Sequence, residues 1–227
     1  MRQSKREVFS LKKLGSFLYS IFAGACIGIG GTIYLSLDNK IAGAIFFALG
    51  LFTICVNGFN LFTGKVPYLF ENKPSYLGFL GSVWLGNLIG AGAVGYLVRA
   101  TRIAGIAEKA VTLCTTKLND NLLSIFILSF FCGILMFIAV DNYRNNPNDF
   151  GRYIGIFTCV PVFILCSFEH CVANMYYFSV ANMWGGKTLL YMIVMTLGNG
   201  VGGVVFPVVR QMKRKAEAEE PVTAGKR

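Results

Sequence analysis

Long apolar runs free of charge alternate along this chain with short polar interruptions. Runs at 14–37, 41–64, 74–98, 121–140 and 188–209 each reach the ~20 residues that a helix needs to cross a bilayer. Each predicts a transmembrane helix. A further apolar region, 153–186, is too long for one span, and Glu169 and His170 interrupt it. Two complete spans would leave no loop between them, so the region predicts one span broken in its middle. The 41–64 run has a similar fault. Asn57, Gly58, Asn60, Thr63 and Gly64 cluster along it, and Lys65 and Pro67 follow. Pro67 suits the first turn of a new short helix. The pattern predicts an all-α membrane protein of six spans, the second and fifth broken near 57–65 and 168–174.

Two local features modify that picture. Ala23-Gly24-Ala25 looks like a signal cleavage site, but the apolar run continues past it, beyond the ~7–15 residues of a signal core. An uncleaved helix is expected. The 99–120 segment places Ile103, Ile106, Ala107, Ala110 and Val111 on one helical face, which predicts a linker lying along the membrane interface.

A repeat emerges from the same pattern. Leu85-Gly86-Asn87 with Gly90, and Leu197-Gly198-Asn199 with Gly202, share L-G-N-x-x-G-small. The spacing from Asn60 to Asn87 resembles that from His170 to Asn199, which pairs Asn60 with His170. Two three-span halves with broken middle helices are the layout of repeat-built transporters. Three spans separate equivalent points, so the second half enters from the opposite side and the repeat is inverted. Gly86, Gly90, Gly198 and Gly202 have the simpler task of letting helices approach closely.

Composition then excludes whole classes. The chain is 55% hydrophobic and only 14% charged, against about 25% charged in average soluble domains. A soluble enzyme, a disordered chain and a disulfide-stapled secreted domain are all excluded. The net charge of +10 would suit nucleic acid, but its distribution suits topology. Arg2, Lys5, Arg6, Lys12 and Lys13 precede the first run, and Arg210, Lys213, Arg214, Lys215, Lys226 and Arg227 follow the last. The positive-inside rule then puts both termini in the cytoplasm, in the cell membrane. Arg99, Arg102, Lys109 and Lys117 run against this rule, in the interfacial segment. The expected organisation is one membrane domain, 1–227. It comprises a cytoplasmic segment 1–13, a first repeat 14–98, the linker 99–120, a second repeat 121–209 and a cytoplasmic tail 210–227. The seven cysteines lack a C-x-x-C pair and read as small hydrophobes in lipid-facing helices. One histidine and one mid-span acid do not supply an enzyme site, and no metal or cofactor is expected.

Phe168-Glu169-His170-Cys171-Val172-Ala173-Asn174-Met175 resembles the F-E-H-x-x-A-N-M signature of the formate–nitrite transporter family. Leu61-Phe62-Thr63-Gly64 is similar to its L-F-T motif, Ala23-Gly24-Ala25 with Gly28 and Gly30 to its first span, and 196–203 to its last. The resemblance implies an aquaporin-like fold, a homopentamer with one pore per subunit, and passage of small monovalent anions such as formate, nitrite or hydrosulfide. This sequence departs from the family at three positions. Asn60 stands where the family has an acid, Phe137 where it has an asparagine, and Asn121 where it has a lysine, Lys117 being the nearest. Arg152 keeps a basic position.

The breaks carry the candidate chemistry. Unpaired backbone groups in lipid cost several kcal/mol each, so broken helices persist where they line a cavity. Two half-helices would aim their N-terminal dipoles at one point, a site for an anion without a fixed buried charge. His170, the only histidine, is the expected pore residue, because intramembrane ionisable groups are functional by default. Thr63 is its expected partner hydroxyl, and Asn174 a donor to substrate or backbone. The resemblance implies that Glu169 turns away from the pore and pins the break. Asn199 and Asn60 are expected to brace, and Arg152 and Lys117 to draw anions. Leu61, Phe62, Phe47, Leu51 and Phe163 are the expected constriction.

Energetics favour neutralising the anion on the way. An isolated carboxylate in a low-dielectric medium costs tens of kcal/mol. Protonating one of pKa about 4 at pH 7 costs only about 4 kcal/mol. Imidazole, with a free pKa of ~6.5, is suited to share a proton. The competing expectations are a neutral-solute pore, which lacks paired N-P-A loops, and a non-conducting relative occluded by Phe137.

Overall fold

The computed structural model describes residues 2–219, with side chains described from 10 to 218. Every regular element among them is helical: α1 (Arg2–Ser36), α2 (Lys40–Asn57), α3 (Phe62–Lys65), a 3₁₀ segment (Val66–Glu71), α4 (Tyr76–Arg99), α5 (Ile106–Asn119), α6 (Leu122–Asn145), α7 (Asp149–Leu165), α8 (Cys171–Ala181) and α9 (Gly186–Glu219). Five of these, in α1, α2, α4, α6 and α9, are long and apolar enough to cross a membrane.

Local chemistry sets the helix ends. The Asn39 side chain accepts from the backbone N–H of Ile41 and Ala42 at the start of α2. Asn121 and Asn148 do the same for Ser124 in α6 and Gly151 in α7, as short polar side chains at N-caps do. Gly58 ends α2 in the left-handed region with φ 67. Ser167, just past α7, adopts φ 57, a conformation that costs a residue with a Cβ more than it costs glycine.

α1 packs on α2 and α4, and α6 packs in the same manner on α7 and α9. Small residues make these contacts close. A Cβ on Gly24 would collide with the carbonyl of Asn87, and one on Gly90 with that of Ile21. In the other half, Gly133 meets Asn199 and Gly202 meets Phe130 in the same way. α8 sits at the centre, every residue buried, which explains why it has no polar face. Outer faces carry exposed Leu97, Leu123 and Phe131, whereas Asn60, Thr63, Glu169, His170 and Asn174 are buried. That inversion of the soluble pattern is what lipid as the outer solvent requires.

Several expected boundaries change. α1 is continuous from Arg2 and α9 runs on to Glu219, so neither the 1–13 segment nor the start of the 210–227 tail is a separate element. Met1 and residues 220–227, with Lys226 and Arg227, lie outside the described residues, as do the side chains of Arg2, Lys5 and Arg6. The 99–120 linker contains α5, which buries Ile106, Ala110 and Cys114 and packs on α8. Ile103 and Val111 are exposed, so the buried stripe is rotated from the expected one. The cysteines are less lipid-facing than expected: Cys114, Cys132, Cys159 and Cys171 are buried within the protein.

Candidate functional site

α3 and α8 begin deep among the other helices, and each has its first turn satisfied by an asparagine from a distant helix. Asn87 Oδ1 accepts from the Phe62 N–H at 2.8 Å, while its Nδ2 donates to the carbonyls of Asn60 and Ser20. Asn199 Oδ1 accepts from the Cys171 N–H at 2.8 Å, and its Nδ2 donates to the carbonyls of Glu169 and Ser129. Backbone bonds repeat as well. The N–H of Asn60 donates to Tyr19 and that of Glu169 to Leu128, and Phe59 donates to Ile54 as Phe168 does to Phe163. Equivalent positions are therefore Asn60 and Glu169, then Leu61 and His170. This corrects the expected pairing of Asn60 with His170 by one residue, and gives Leu61 rather than Thr63 the place matching the histidine.

The two breaks meet through side chains. His170 Nδ1 accepts from the Ala173 N–H at 3.0 Å, which makes the imidazole the N-cap of α8. With that lone pair occupied, the neutral ring carries its proton on Nε2. Nε2–H then donates to Thr63 Oγ1, 2.9 Å away. Thr63 keeps its own hydroxyl hydrogen free for another acceptor. Phe163 stacks on the imidazole at 5.6 Å between centroids, and Phe47 meets Phe163 edge-on at 6.0 Å.

Beside the histidine lies an ionic network. Lys117 Nζ donates to Glu169 Oε2 at 2.6 Å, and Asn174 Nδ2 donates to the same oxygen at 2.7 Å. Asn174 Nδ2 also donates to the His170 carbonyl. The amide orientation is thereby fixed, because a flip would set oxygen against oxygen. Its Oδ1 is left buried without a hydrogen-bond partner among the described residues, an acceptor with unused capacity.

Two cavities flank this junction. One, of about 130 Å³, is lined by Lys117, Glu169, His170, Asn174, Tyr34 and Phe163 among others. The other, of about 120 Å³, is lined by Leu61, Gly64, Lys65, Tyr143, Arg144 and Cys55 among others.

The expected site residues fall into three groups. His170, Thr63, Asn174, Glu169, Lys117 and Phe163 come together, with Phe47 behind Phe163. Glu169 does not turn away, as the resemblance implied, but lines the cavity that His170 lines. Leu61 lines the opposite cavity. Asn199 braces the α8 break, and Asn60 donates to Ser16. The remaining residues lie elsewhere. Phe62 lines an outward apolar groove with Leu69, Phe70 and Leu197, because its N–H, not its ring, points to the centre. Leu51 is buried in α2. Arg152 is spent on the Asn146 carbonyl and on Asp149, away from both cavities. Phe137 stacks on Phe206 beneath Arg210, and Asn121 is a helix cap. Lys65 and Arg144 were missed. Lys65 was legible as the charge closing the second run, whereas Arg144 had no signal beyond its sign.

A fold of long apolar helices in which a buried His–Thr hydrogen bond joins two helix starts, one of them opening on the cavity that His170 lines, defines a channel-like class of protein. A profile described as formate/nitrite transporter matches residues 1–212, and the chain belongs to that family. It is 29% identical to a protein of Methanothermobacter thermautotrophicus named as a probable formate transporter, over 82% of this chain and 84% of that one. It is 25% identical to the nitrite transporter NirC of Escherichia coli strain K12, over 92% and 87% of the two chains. A solved pentameric formate channel with formate bound superposes with a TM-score of 0.76 at 24% identity, covering 90% of this chain and 98% of that one.

Proposed function

We propose that this chain is a channel or proton-linked transporter for small monovalent anions of the formate, nitrite or hydrosulfide class. Its pore runs from the Lys117 cavity past His170 and Thr63 to the Lys65 cavity. The observation that carries this reading is the His170 Nε2–Thr63 Oγ1 hydrogen bond, which joins both helix breaks between the two cavities. The names of the relatives supply formate and nitrite.

The six spans are α1, α2 continued by α3, α4, α6, α7 continued by α8, and α9. They form one membrane domain of two inverted three-span repeats, with α5 between them. Support comes from the matched bonds of Asn87 and Asn199. The termini are both cytoplasmic, in keeping with the flanking basic clusters, and the protein is a homopentamer in the cytoplasmic membrane, as in the pentameric relative of similar fold.

Mechanistically, the junction offers hydrogen-bond donors rather than a fixed charge. Thr63 donates its free hydroxyl hydrogen to the anion, and His170 Nε2–H backs that hydroxyl. Protonating the ring at Nδ1 requires giving up the Ala173 N–H bond, worth about 1 kcal/mol net and more if left unmade. A proton that neutralises the anion is therefore best supplied from the vestibule, and the acid's own O–H or S–H finds an acceptor in Asn174 Oδ1. Leu61, Phe163 and Phe47 form the apolar constriction that keeps water out.

The test is uptake of labelled formate and nitrite into proteoliposomes, with and without an inward proton gradient. Anion uptake that the gradient accelerates is expected. Water or glycerol flux without anion flux would favour a neutral-solute pore and overturn the proposal.

A further inference from the structure

The two cavities differ in charge, and the repeat explains why. Around His170 the cation is balanced: Lys117 Nζ lies 2.6 Å from Glu169. The position equivalent to Glu169 in the first half is Asn60, a neutral amide that donates to Ser16. Yet the cavity on that side is lined by two cations, Lys65 and Arg144. Neither has a carboxylate within ion-pair distance among the described residues. The nearby acid Asp141 is already engaged, by both guanidinium nitrogens of Arg210 at 3.1 and 2.8 Å and by Asn145. Glu71 is exposed.

The backbone at Lys65 and the guanidinium of Arg144 are held in position. The Lys65 carbonyl accepts from the Tyr76 hydroxyl at 3.0 Å, which ties the end of α3 to α4. The Arg144 guanidinium lies over the Tyr68 ring at 5.0 Å, so its position is set without using its N–H donors on an acid. Two like charges share a half-enclosed space with no carboxylate among the described residues paired to either, a configuration that repels itself and that an anion relieves. The cavity, about 120 Å³, has room for one small anion with residual water.

We infer that Lys65 and Arg144 form a binding site for a single small anion at the mouth opposite Lys117, so that the protein holds anions more strongly on one side of the constriction than on the other. The charge imbalance between the half-pores makes uptake through this mouth saturate at lower concentration than uptake through the Lys117 mouth. The site takes its ligand class from the transport reading, but binding there is testable without transport.

Two measurements on the full chain decide it. Bromide soaked into crystals of the wild-type oligomer is expected to give an anomalous peak between Lys65 and Arg144, lost in Lys65→Met and retained in Lys65→Arg. In oriented proteoliposomes, Lys65→Met is expected to raise the half-saturating formate concentration through this mouth by roughly tenfold. The half-saturating concentration for entry through the other mouth is expected to shift less. Should Lys65→Met not assemble, Arg144→Gln, at an exposed position, is read in its place with the same expectation. An empty wild-type cavity, a peak that survives both substitutions, or an unaltered half-saturation would overturn the inference. A wild-type protein that binds bromide there but passes no formate would sink the transport proposal and leave this site standing.

Discussion

Asn87 and Asn199 make the same three hydrogen bonds in the two halves of the protein, each closing the first turn of a short helix that starts inside the bundle. Both are fully buried. Replacing either by Leu orphans an N–H, of Phe62 or Cys171, and a carbonyl, of Asn60 or Glu169. At about 1–3 kcal/mol for each buried group left unpaired, Asn87→Leu and Asn199→Leu should each lower the thermal stability of the solubilised oligomer substantially. A melting temperature within a degree or two of wild type for both would show that these bonds do not hold the breaks.

His170→Phe should leave a folded oligomer with strongly reduced anion flux. Phenylalanine keeps the stacking on Phe163 but loses the donor to Thr63 and the cap on Ala173. His170→Asn, which can still accept from a helix N-terminus, separates the two losses, since it should restore stability without restoring flux. Assembly and flux are read on one preparation, and wild-type flux in either variant would remove His170 from the mechanism.

Lys117 and Glu169 are coupled. Their side chains are 14% and 4% exposed, so removing one partner strands a charge in a largely desolvated place, at about 3–5 kcal/mol. Glu169→Gln alone should be poorly assembled, and adding Lys117→Met should recover much of the loss. Damage in the double variant equal to the sum of the losses in Glu169→Gln and Lys117→Met alone would mean that the pair is not coupled.

Gly90 and Gly202 should tolerate nothing larger. A Cβ at either meets a backbone carbonyl, of Ile21 or Phe130, which has no rotamer by which to yield. Gly90→Val and Gly202→Val should abolish a stable oligomer in size-exclusion chromatography. Gly78, on the same helix as Gly90 but with nothing within 4 Å of where a Cβ would sit, serves as control. Gly78→Ala should be neutral or gain about 0.5–1 kcal/mol.

The interruptions in the hydrophobic runs were visible in one dimension. A polar cluster such as Asn57–Asn60 or Glu169-His170 cannot sit in an unbroken lipid-facing helix, so composition and spacing alone located the ends of α2 and α7 to within a few residues. The L-G-N-x-x-G repeat was visible for a related reason. Two halves under the same packing constraint keep the same small residues against the same neighbouring backbone. Asn87 and Asn199 therefore stood out before their partners were known.

Register across the breaks and the identity of charge partners depended on tertiary structure. Asn60 pairs with Glu169 rather than His170 because the asparagine bonds from α4 and α9 set the alignment, although the linear spacings to Asn87 and Asn199 differ between the halves. Lys117 reaches Glu169 because α5 packs on α8, whereas Arg152, equally basic on paper, turns to its own loop. Lys65 and Arg144 lie far apart in the chain and share a cavity only once α3 lies against α6. Hydrophobic periodicity is a property of neighbours along the chain, so the sequence by itself determined where the apolar helices run and where α2 and α7 end. Which charges meet depends on how those helices are packed, and only the folded chain decides it.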